Sequence, residues 1–326
     1  MARALNTKPR LSAMMAVRLG LRLFIKYDRP KTRDIAARAK GKVGKMNPVA
    51  KAPAHAVGFL LAVVLLHAAG GCTPGETITF GNLADRPRQL SGRLILPAKG
   101  QGLLPAVVMV HGTGGSMGRY EFYRDHFLSA GIATFEVDFK TGVFTGARDR
   151  PQVPTFLPFA FAALKALRAN PAIDPDRIAI MGFSLGGHLA ILAADGNRID
   201  AWMDGQPGFS AHVGLYPGCK YLLQRLSKVM SPAPILIIAG SEDSLEDGIY
   251  CPSLKDVLER EGFKNLEMKI YPGVHHGFDS PRNSGLRTVY ERSAVNQRLT
   301  LAWNDQAARD ARKTAVNFIQ RAFQGR

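Results

Sequence analysis

From about residue 89 onwards, short apolar runs alternate with longer amphipathic stretches. Seven runs have the length and composition of strands, at 89–96, 106–110, 132–137, 178–183, 212–215, 235–239 and 266–271. Helices are predicted at 120–129, 156–169, 185–194, 221–229, 253–261 and 301–323. Continuous apolar strands that alternate with helices are typical of a mostly parallel sheet with helices on both faces. The pattern predicts an α/β fold, with a long polar connection at 279–297.

The most specific segment lies where the strand at 178–183 meets the helix at 185–194. There the chain reads Gly182-Phe183-Ser184-Leu185-Gly186. A Gly-x-Ser-x-Gly sequence between a strand and a helix is typical of a nucleophile elbow, a tight turn that holds the serine hydroxyl out of the sheet. A serine hydroxyl needs a base to remove its proton, and the base needs an orienting acid. Ser184 is therefore the candidate nucleophile.

Candidate acids and bases follow later strands. Acidic side chains come just after the strand at 235–239, at Glu242, Asp243, Glu246 and Asp247. The loop after the strand at 266–271 contains two adjacent histidines, His275 and His276. The order serine, acid, histidine is that of the α/β-hydrolases. The residues alone leave open which acid and which histidine act.

A glycine-rich loop follows the strand at 106–110 and reads His111-Gly112-Thr113-Gly114-Gly115. Backbone N–H groups of Gly112 or Thr113, together with that of Leu185, would form an oxyanion hole. The chain contains neither metal-ligand spacing nor a phosphate-binding glycine pattern after a strand. No metal and no cofactor are therefore expected.

These segments together resemble the dienelactone hydrolase family of α/β-hydrolases, over roughly residues 77–324. The matching pieces are HGTGG at 111–115, GIATFEVD at 131–138, DPDRIAIMGFSLGG at 174–187, YPGC at 216–219, IAGSED at 238–243 and YPGVHHGF at 271–278. The resemblance implies an α/β-hydrolase fold, with Ser184 as nucleophile, Asp243 as acid and His276 as base. The enzymes that gave the family its name have cysteine at the elbow. Serine at this position favours a general carboxylic ester or lactone as the substrate.

The expected function is that of a serine hydrolase that acts through an acyl-enzyme. The same three residues would also serve a peptidase, an amidase or a polyester hydrolase, because the acyl-transfer chemistry is shared. A surface lipoprotein that keeps the fold without catalysis is a further alternative. The presence of nucleophile, acid, base and oxyanion loop favours an enzyme over that alternative. The acyl group and the oligomeric state do not follow from the sequence.

Charge is distributed unevenly along the 326 residues. The formal net charge is +17, but residues 1–45 hold 13 Lys and Arg against Asp28 and Asp34, which leaves only +6 for the remainder. The rest of the chain has no basic stripe with interleaved aromatic residues. Nucleic acid is therefore not expected as a partner.

A stretch without formal charge lies between Lys51 and Glu76, with an apolar core at 56–66. Small residues then precede Cys72, as at the cleavage site of a secretory signal. The arrangement resembles a bacterial lipoprotein signal, with lipidated Cys72 as the mature N-terminus. Ala69 departs from that pattern, which usually has leucine there. The expected location is the cell envelope, lipid-anchored to a membrane and facing the periplasm or the outside. An uncleaved anchor and a secreted soluble form are the alternatives.

The chain then divides into three parts. Residues 1–45 form a basic extension, 46–71 a signal-like segment and 72–326 the hydrolase domain. Met46 would begin a signal of ordinary length, so residues 1–45 are either untranslated, a real basic arm or an organellar targeting segment.

The cysteines are few, and two of them lie in predicted loops. Three cysteines are too few for a disulfide scaffold, and with Cys72 lipidated only Cys219 and Cys251 remain to pair. Each lies just after a core strand, so either a disulfide or two buried thiols is compatible with the pattern.

A second loop carries basic side chains. Lys140, Arg148 and Arg150 follow the strand at 132–137, where they would either favour substrates with a free carboxylate or form a solvated loop.

Overall fold

The computed structural model describes residues 75–81, 83, 89–139, 156–227, 229–291 and 297–325. Several predictions fall outside these residues: the basic extension at 1–45, the signal-like segment at 46–71, Cys72, and the basic loop with Lys140, Arg148 and Arg150. Among the described residues, none of the helices has the length and apolar character needed to cross a membrane.

Eight strands form one sheet: β1 Glu76–Gly81, β2 Gln89–Ile95, β3 Leu104–Val110, β4 Ala133–Asp138, β5 Ile173–Phe183, β6 His212–Leu215, β7 Ile235–Gly240 and β8 Leu266–Tyr271. Their order across the sheet is β1-β2-β4-β3-β5-β6-β7-β8. Strands β1 and β2 run antiparallel to their neighbours, and the other pairs are parallel. The predicted mostly parallel α/β sheet is confirmed.

Seven helices belong to the described residues: α1 Arg119–Ser129, α2 Leu157–Arg168, α3 Leu185–Leu192, α4 Gly196–Trp202, α5 Cys219–Leu222, α6 Asp247–Arg260 and α7 Asp305–Gln324. All six residues of β7 are buried, as are the last five of β3. Successive side chains of a strand point to opposite faces, so both faces of the central sheet are covered. The core therefore lies on both sides of β3, β5, β6 and β7.

The structure differs from the predicted pattern where tertiary contacts override local signals. Helix α5 ends at Leu222 instead of continuing to 229, and further along the same segment the buried carboxylate of Asp195 accepts the N–H and the hydroxyl of Ser227. Helix α6 begins at Asp247, before Pro252 and six residues earlier than expected. In its first turn the Asp247 carboxylate accepts the backbone N–H groups of Gly218 and Cys219, at the start of α5. Strand β1 and helix α4 were not predicted.

The long polar connection predicted at 279–297 is also partly wrong. Its second half forms β9 (Arg287–Glu291), which pairs with β10 (Gln297–Leu301) as an antiparallel hairpin. The N–H of Thr300 donates to Ser244 Oγ at 2.9 Å, and Leu301 forms a parallel bridge with His276. The hairpin therefore contacts both loops that carry the candidate acid and base. Because the hairpin extends to Leu301, α7 begins at Asp305 instead of 301, and its first turn is capped by Asn304.

Candidate active site

The turn between β5 and α3 has the geometry of a nucleophile elbow. Ser184 has φ 55° and ψ −115°, a conformation that side chains rarely adopt and that is typical of functional sites. A Cβ at Gly182 would lie 2.0 Å from the carbonyl oxygen of Gly186, and one at Gly186 would lie 2.2 Å from that of Val110. Only glycine fits at both positions, because the backbone segments approach so closely. The two glycines of the sequence pattern thus permit the strained serine.

His276 connects Ser184 to Asp243. Its Nε2 lies 2.9 Å from Ser184 Oγ, and its Nδ1 lies 2.8 Å from Asp243 Oδ2. The imidazole and the carboxylate are almost completely buried, whereas Ser184 is partly exposed. Since the carboxylate can only accept, Nδ1 carries the proton and Nε2 is left to accept from the serine hydroxyl. This is the hydrogen-bond order of a Ser-His-Asp arrangement.

The turn after β7 holds the Asp243 carboxylate in place. Its Oδ1 accepts the backbone N–H of Leu245 at 2.8 Å, while its main-chain oxygen accepts that of Glu246, also at 2.8 Å. Asp243 is therefore oriented on both sides, by the turn and by His276.

The other candidates in these two loops point elsewhere. His275 is half-buried, and its Nδ1 lies 3.1 Å from the carbonyl oxygen of Glu242. Glu246 forms an exposed ion pair with Lys220. The structure thus brings His276 rather than its neighbour to Ser184.

Asp247 is buried behind the acid and has a different role. Its carboxylate accepts the backbone N–H groups of Gly218 and Cys219, at 3.0 Å and 2.6 Å. Burial, followed by repulsion from Asp243, raises the pKa of Asp247 to about 7. Near neutral pH this group therefore holds a proton for part of the time, which limits the negative charge beside the acid.

The glycine-rich loop lies against the nucleophile. A Cβ at Gly112 would be 3.3 Å from Ser184 Cβ. The loop is folded back by the N–H of Gly115, which donates to Gly112 O at 3.0 Å. His111 Nε2 accepts the N–H of Phe139, so Nδ1 carries the proton and donates to Gly112 O at 2.7 Å. His111 therefore shapes this loop and does not face Ser184 as a base.

Leu185 is the first residue of α3, so its N–H has no acceptor within the helix. It adjoins the serine directly, whereas Gly112 and Thr113 approach from the loop after β3. The structure thus places Gly112 against Ser184 and Leu185 next to it in the chain, while the role of Leu185, Gly112 and Thr113 as oxyanion donors stays a prediction. None of them offers a side-chain charge, and the donors would be backbone N–H groups.

Cys219 and Cys251 are joined at an S–S distance of 2.03 Å, with Cα atoms 5.0 Å apart. Both are fully buried, and they connect α5 to α6. Asp247 lies beside them, and within the described residues these three side chains form the one group with ligand atoms close enough for a metal ion. Because the two sulfur atoms are bonded to each other, the group does not offer two thiolates.

A buried polar network that the sequence pattern did not predict lies next to His276. The Asp279 carboxylate, fully buried, accepts from Tyr216, Tyr123 and Arg119 at 2.5, 2.8 and 2.9 Å. The Tyr216 ring packs against the His276 ring, with centroids 4.7 Å apart. The sequence offered one signal for this network. Tyr216 begins the family-like segment YPGC, and Asp279 directly follows the family-like segment that contains His276.

The strand order, the elbow after β5 and the serine-facing histidine define an α/β-hydrolase. The chain belongs to the dienelactone hydrolase family, whose profile matches residues 90–323. It is 29% identical over 152 residues to a Bradyrhizobium sp protein named "Probable 2-oxo-3-(5-oxofuran-2-ylidene)propanoate lactonase". That match covers 44% of this chain and 57% of the relative, so the chain spans just over half of the length of this relative.

Solved structures of esterases and related proteins share the fold. A thermophilic esterase from Thermogutta terrifontis superposes with a TM-score of 0.54 at 18% identity, covering 76% of this chain and 91% of the esterase. A dienelactone hydrolase-like promiscuous phosphotriesterase from metagenomic libraries has the same TM-score, 0.54, and the same identity, 18%, with coverage of 77% and 99%. These similarities confirm the α/β-hydrolase fold.

Proposed function

We propose that this protein is a serine hydrolase that cleaves a carboxylic ester or lactone through an acyl-enzyme on Ser184. The observation that carries the proposal is the continuous hydrogen-bond chain from Ser184 through His276 to Asp243, at 2.9 Å and 2.8 Å. Each partner comes from a different loop, and the three loops lie at the carboxyl ends of β5, β7 and β8. This is where α/β proteins bind their substrates.

In the first step, His276 Nε2 takes the proton of Ser184 as Oγ attacks the carbonyl carbon. Asp243 keeps the imidazole in the correct tautomer and stabilises the imidazolium that forms. His276 then protonates the leaving alcohol, and the acyl-enzyme remains. In the second step His276 takes a proton from water as the water oxygen attacks the acyl carbon. The bond from that carbon to Ser184 Oγ then breaks, the acid leaves, and His276 returns the proton to Oγ. For a lactone, the leaving alcohol stays attached to the released acid.

The negative oxygen of the tetrahedral intermediate would be stabilised by the N–H of Leu185 and by one from the segment Gly112–Thr113. An oxyanion donor typically contributes about 3–4 kcal/mol to the lowering of the barrier. The chemistry needs neither a metal nor a cofactor, because the three side chains and the backbone donors supply nucleophile, base and electrophilic stabilisation.

The names of related proteins support an ester or lactone as the bond that is cleaved. The Bradyrhizobium sp relative is named as a lactonase, and the Thermogutta terrifontis structures include that esterase phosphorylated by paraoxon and with butyrate bound. Paraoxon phosphorylates an activated nucleophile, so it is a suitable probe here as well. Esters and lactones are therefore the substrates to test first, with amides as the comparison.

The experiment combines an activated short-chain ester with paraoxon labelling. The wild-type protein should hydrolyse the ester and gain one diethylphosphoryl group on the peptide that contains Ser184, with loss of activity. Ser184→Ala should abolish labelling and lower kcat/KM by at least about a thousandfold. His275→Ala is the matched control and should keep labelling and activity. Full activity of Ser184→Ala would refute the assignment, and faster cleavage of amides than of matched esters would refute the ester class.

We further propose that the protein is a lipoprotein anchored to the cell envelope through Cys72. The support is the uncharged stretch between Lys51 and Glu76 and the small residues before Cys72. Several acyl chains together hold a protein firmly on a bilayer, whereas one does so only marginally. Expressed in a bacterium, the protein should lose residues 1–71 and sediment with membranes, and Cys72→Ser should prevent this. An intact mass that still includes residues 1–71 would refute the anchor.

A further inference from the structure

We propose that Tyr216 is a positioning residue that holds the imidazole of His276 in the orientation needed to accept the Ser184 proton. The inference rests on the proposed function, because it assigns a partner to the proposed base. The two rings meet edge to face, with an interplanar angle of 65° and centroids 4.7 Å apart. Such aromatic contacts contribute to stability through the ring quadrupoles and depend on orientation.

The imidazole needs this third contact. The imidazole turns about its Cβ–Cγ bond, and such a turn would carry Nε2 out of line with Ser184 Oγ. The hydrogen bonds to Ser184 and Asp243 resist this turn at the two nitrogens of His276. The Tyr216 ring, packed against the imidazole, resists the same turn through contact with the ring itself.

Tyr216 is itself held firmly at its hydroxyl end. The hydroxyl donates to Asp279 at 2.5 Å, and the same carboxylate accepts from Tyr123 and from Arg119. The guanidinium carbon of Arg119 also lies 5.7 Å from the centroid of the Tyr216 ring. A buried carboxylate is tolerated because three donors satisfy it. Burial raises the pKa of Tyr216 well above its usual value, so the hydroxyl keeps the proton that it donates.

The backbone of Tyr216 is constrained as well. Its φ of 39° lies in the left-handed region, which non-glycine residues seldom adopt. The N–H of Tyr216 donates to Ile238 O at 2.6 Å, and the next turn is bound by the Asp247 carboxylate and by the Cys219–Cys251 disulfide. A strained residue persists only when its surroundings hold it in place. The surroundings of Tyr216 do so from both ends.

Gly277 leaves the space that the Arg119 guanidinium occupies. Its φ is 64°, and a Cβ there would lie 2.9 Å from Arg119 Nη2. A side chain at Gly277 would therefore displace the guanidinium that pairs with Asp279. The sequence His276-Gly277-Phe278-Asp279 thus places the base and the anchor of its positioning residue in one short segment.

The test compares Tyr216→Leu with Tyr216→Phe. Both remove the hydroxyl that donates to Asp279, but only Tyr216→Phe keeps a ring against His276. Tyr271→Phe is the matched control, because it removes a tyrosine hydroxyl that donates to Asp310 at 2.5 Å, outside this network. For each variant, kcat and KM for an activated ester, the pH profile of kcat/KM and the low-field proton resonance of His276 Nδ1–H are measured.

Tyr216→Leu should lower kcat by about two- to tenfold, the rate equivalent of one aromatic contact, with KM unchanged. The pH profile of kcat/KM should differ from that of the wild type, and the low-field resonance should broaden. Tyr216→Phe should recover most of kcat, and Tyr271→Phe should match the wild type. Should Tyr216→Leu not fold, as judged by thermal unfolding, Tyr216→Met takes its place.

A folded Tyr216→Leu variant with wild-type kcat, pH profile and resonance would overturn the proposal. Equal losses in Tyr216→Leu and Tyr216→Phe would also overturn it, since the hydroxyl rather than the ring would then be responsible. If the wild type hydrolyses no ester, the proposed function fails, and the resonance of His276 still decides whether Tyr216 orients the imidazole.

Discussion

Removal of the disulfide should destabilise the part of the fold that carries the candidate acid. Cys219 and Cys251 are 32 residues apart in the chain, and the closed loop includes β7 and Asp243. Loop-closure entropy for a ring of this size corresponds to about 3.7 kcal/mol at 25 °C. The double variant Cys219→Ala/Cys251→Ala should lose approximately that free energy of unfolding. In a domain of this size, this corresponds to a fall in Tm of roughly 7–15 °C.

The assay is thermal unfolding by calorimetry, with thiol titration on the unfolded protein. The wild type should show no titratable thiol from Cys219 or Cys251 before reduction and both after it. Wild type unfolded in the presence of reductant is a control that leaves the sequence unchanged, and it should approach the double variant. Two titratable thiols without reduction would refute the disulfide. A Tm within about 2 °C of the wild type would refute the entropic argument.

Three further outcomes are expected. His276→Ala should lower kcat/KM by at least about a thousandfold, while His275→Ala should stay within about twofold of the wild type. If the His276→Ala variant keeps its activity, His276 is not the base. Gly186→Ala should destabilise the fold by about 3 kcal/mol in urea unfolding, because its Cβ would meet Val110 O at 2.2 Å, and an unchanged midpoint would contradict the elbow geometry. The raised pKa of Asp247, about 7, means that the folded protein keeps a proton that the unfolded chain releases near pH 4. Its contribution to stability is present below about pH 4 and is lost as the pH rises towards 7, so Asp247→Asn should flatten the pH–stability curve there, and a curve parallel to the wild type would contradict this.

Local sequence was sufficient where sterics or side-chain alternation decide the conformation. The elbow could be predicted because only glycine tolerates the contacts at positions 182 and 186. The apolar strands could be predicted because residues buried on both faces read as continuous hydrophobic runs. Local signals placed the start of α6 at 253, whereas the helix begins at Asp247, whose carboxylate accepts backbone N–H groups at the start of α5.

The sequence by itself therefore determined the α/β fold, the elbow with Ser184, and the order in which acid and base follow. The residues alone left both histidines open and the family resemblance implied His276; tertiary structure directs the His276 ring to the serine and the His275 ring elsewhere, because the loop after β8 lies against β10 and against the turn after β7. It also decided the pairing of Cys219 with Cys251 and the burial of Asp279 behind Tyr216. The reason is physical: these contacts join residues far apart in the chain, and strand order and loop packing set their distances, whereas no local pattern of side chains does.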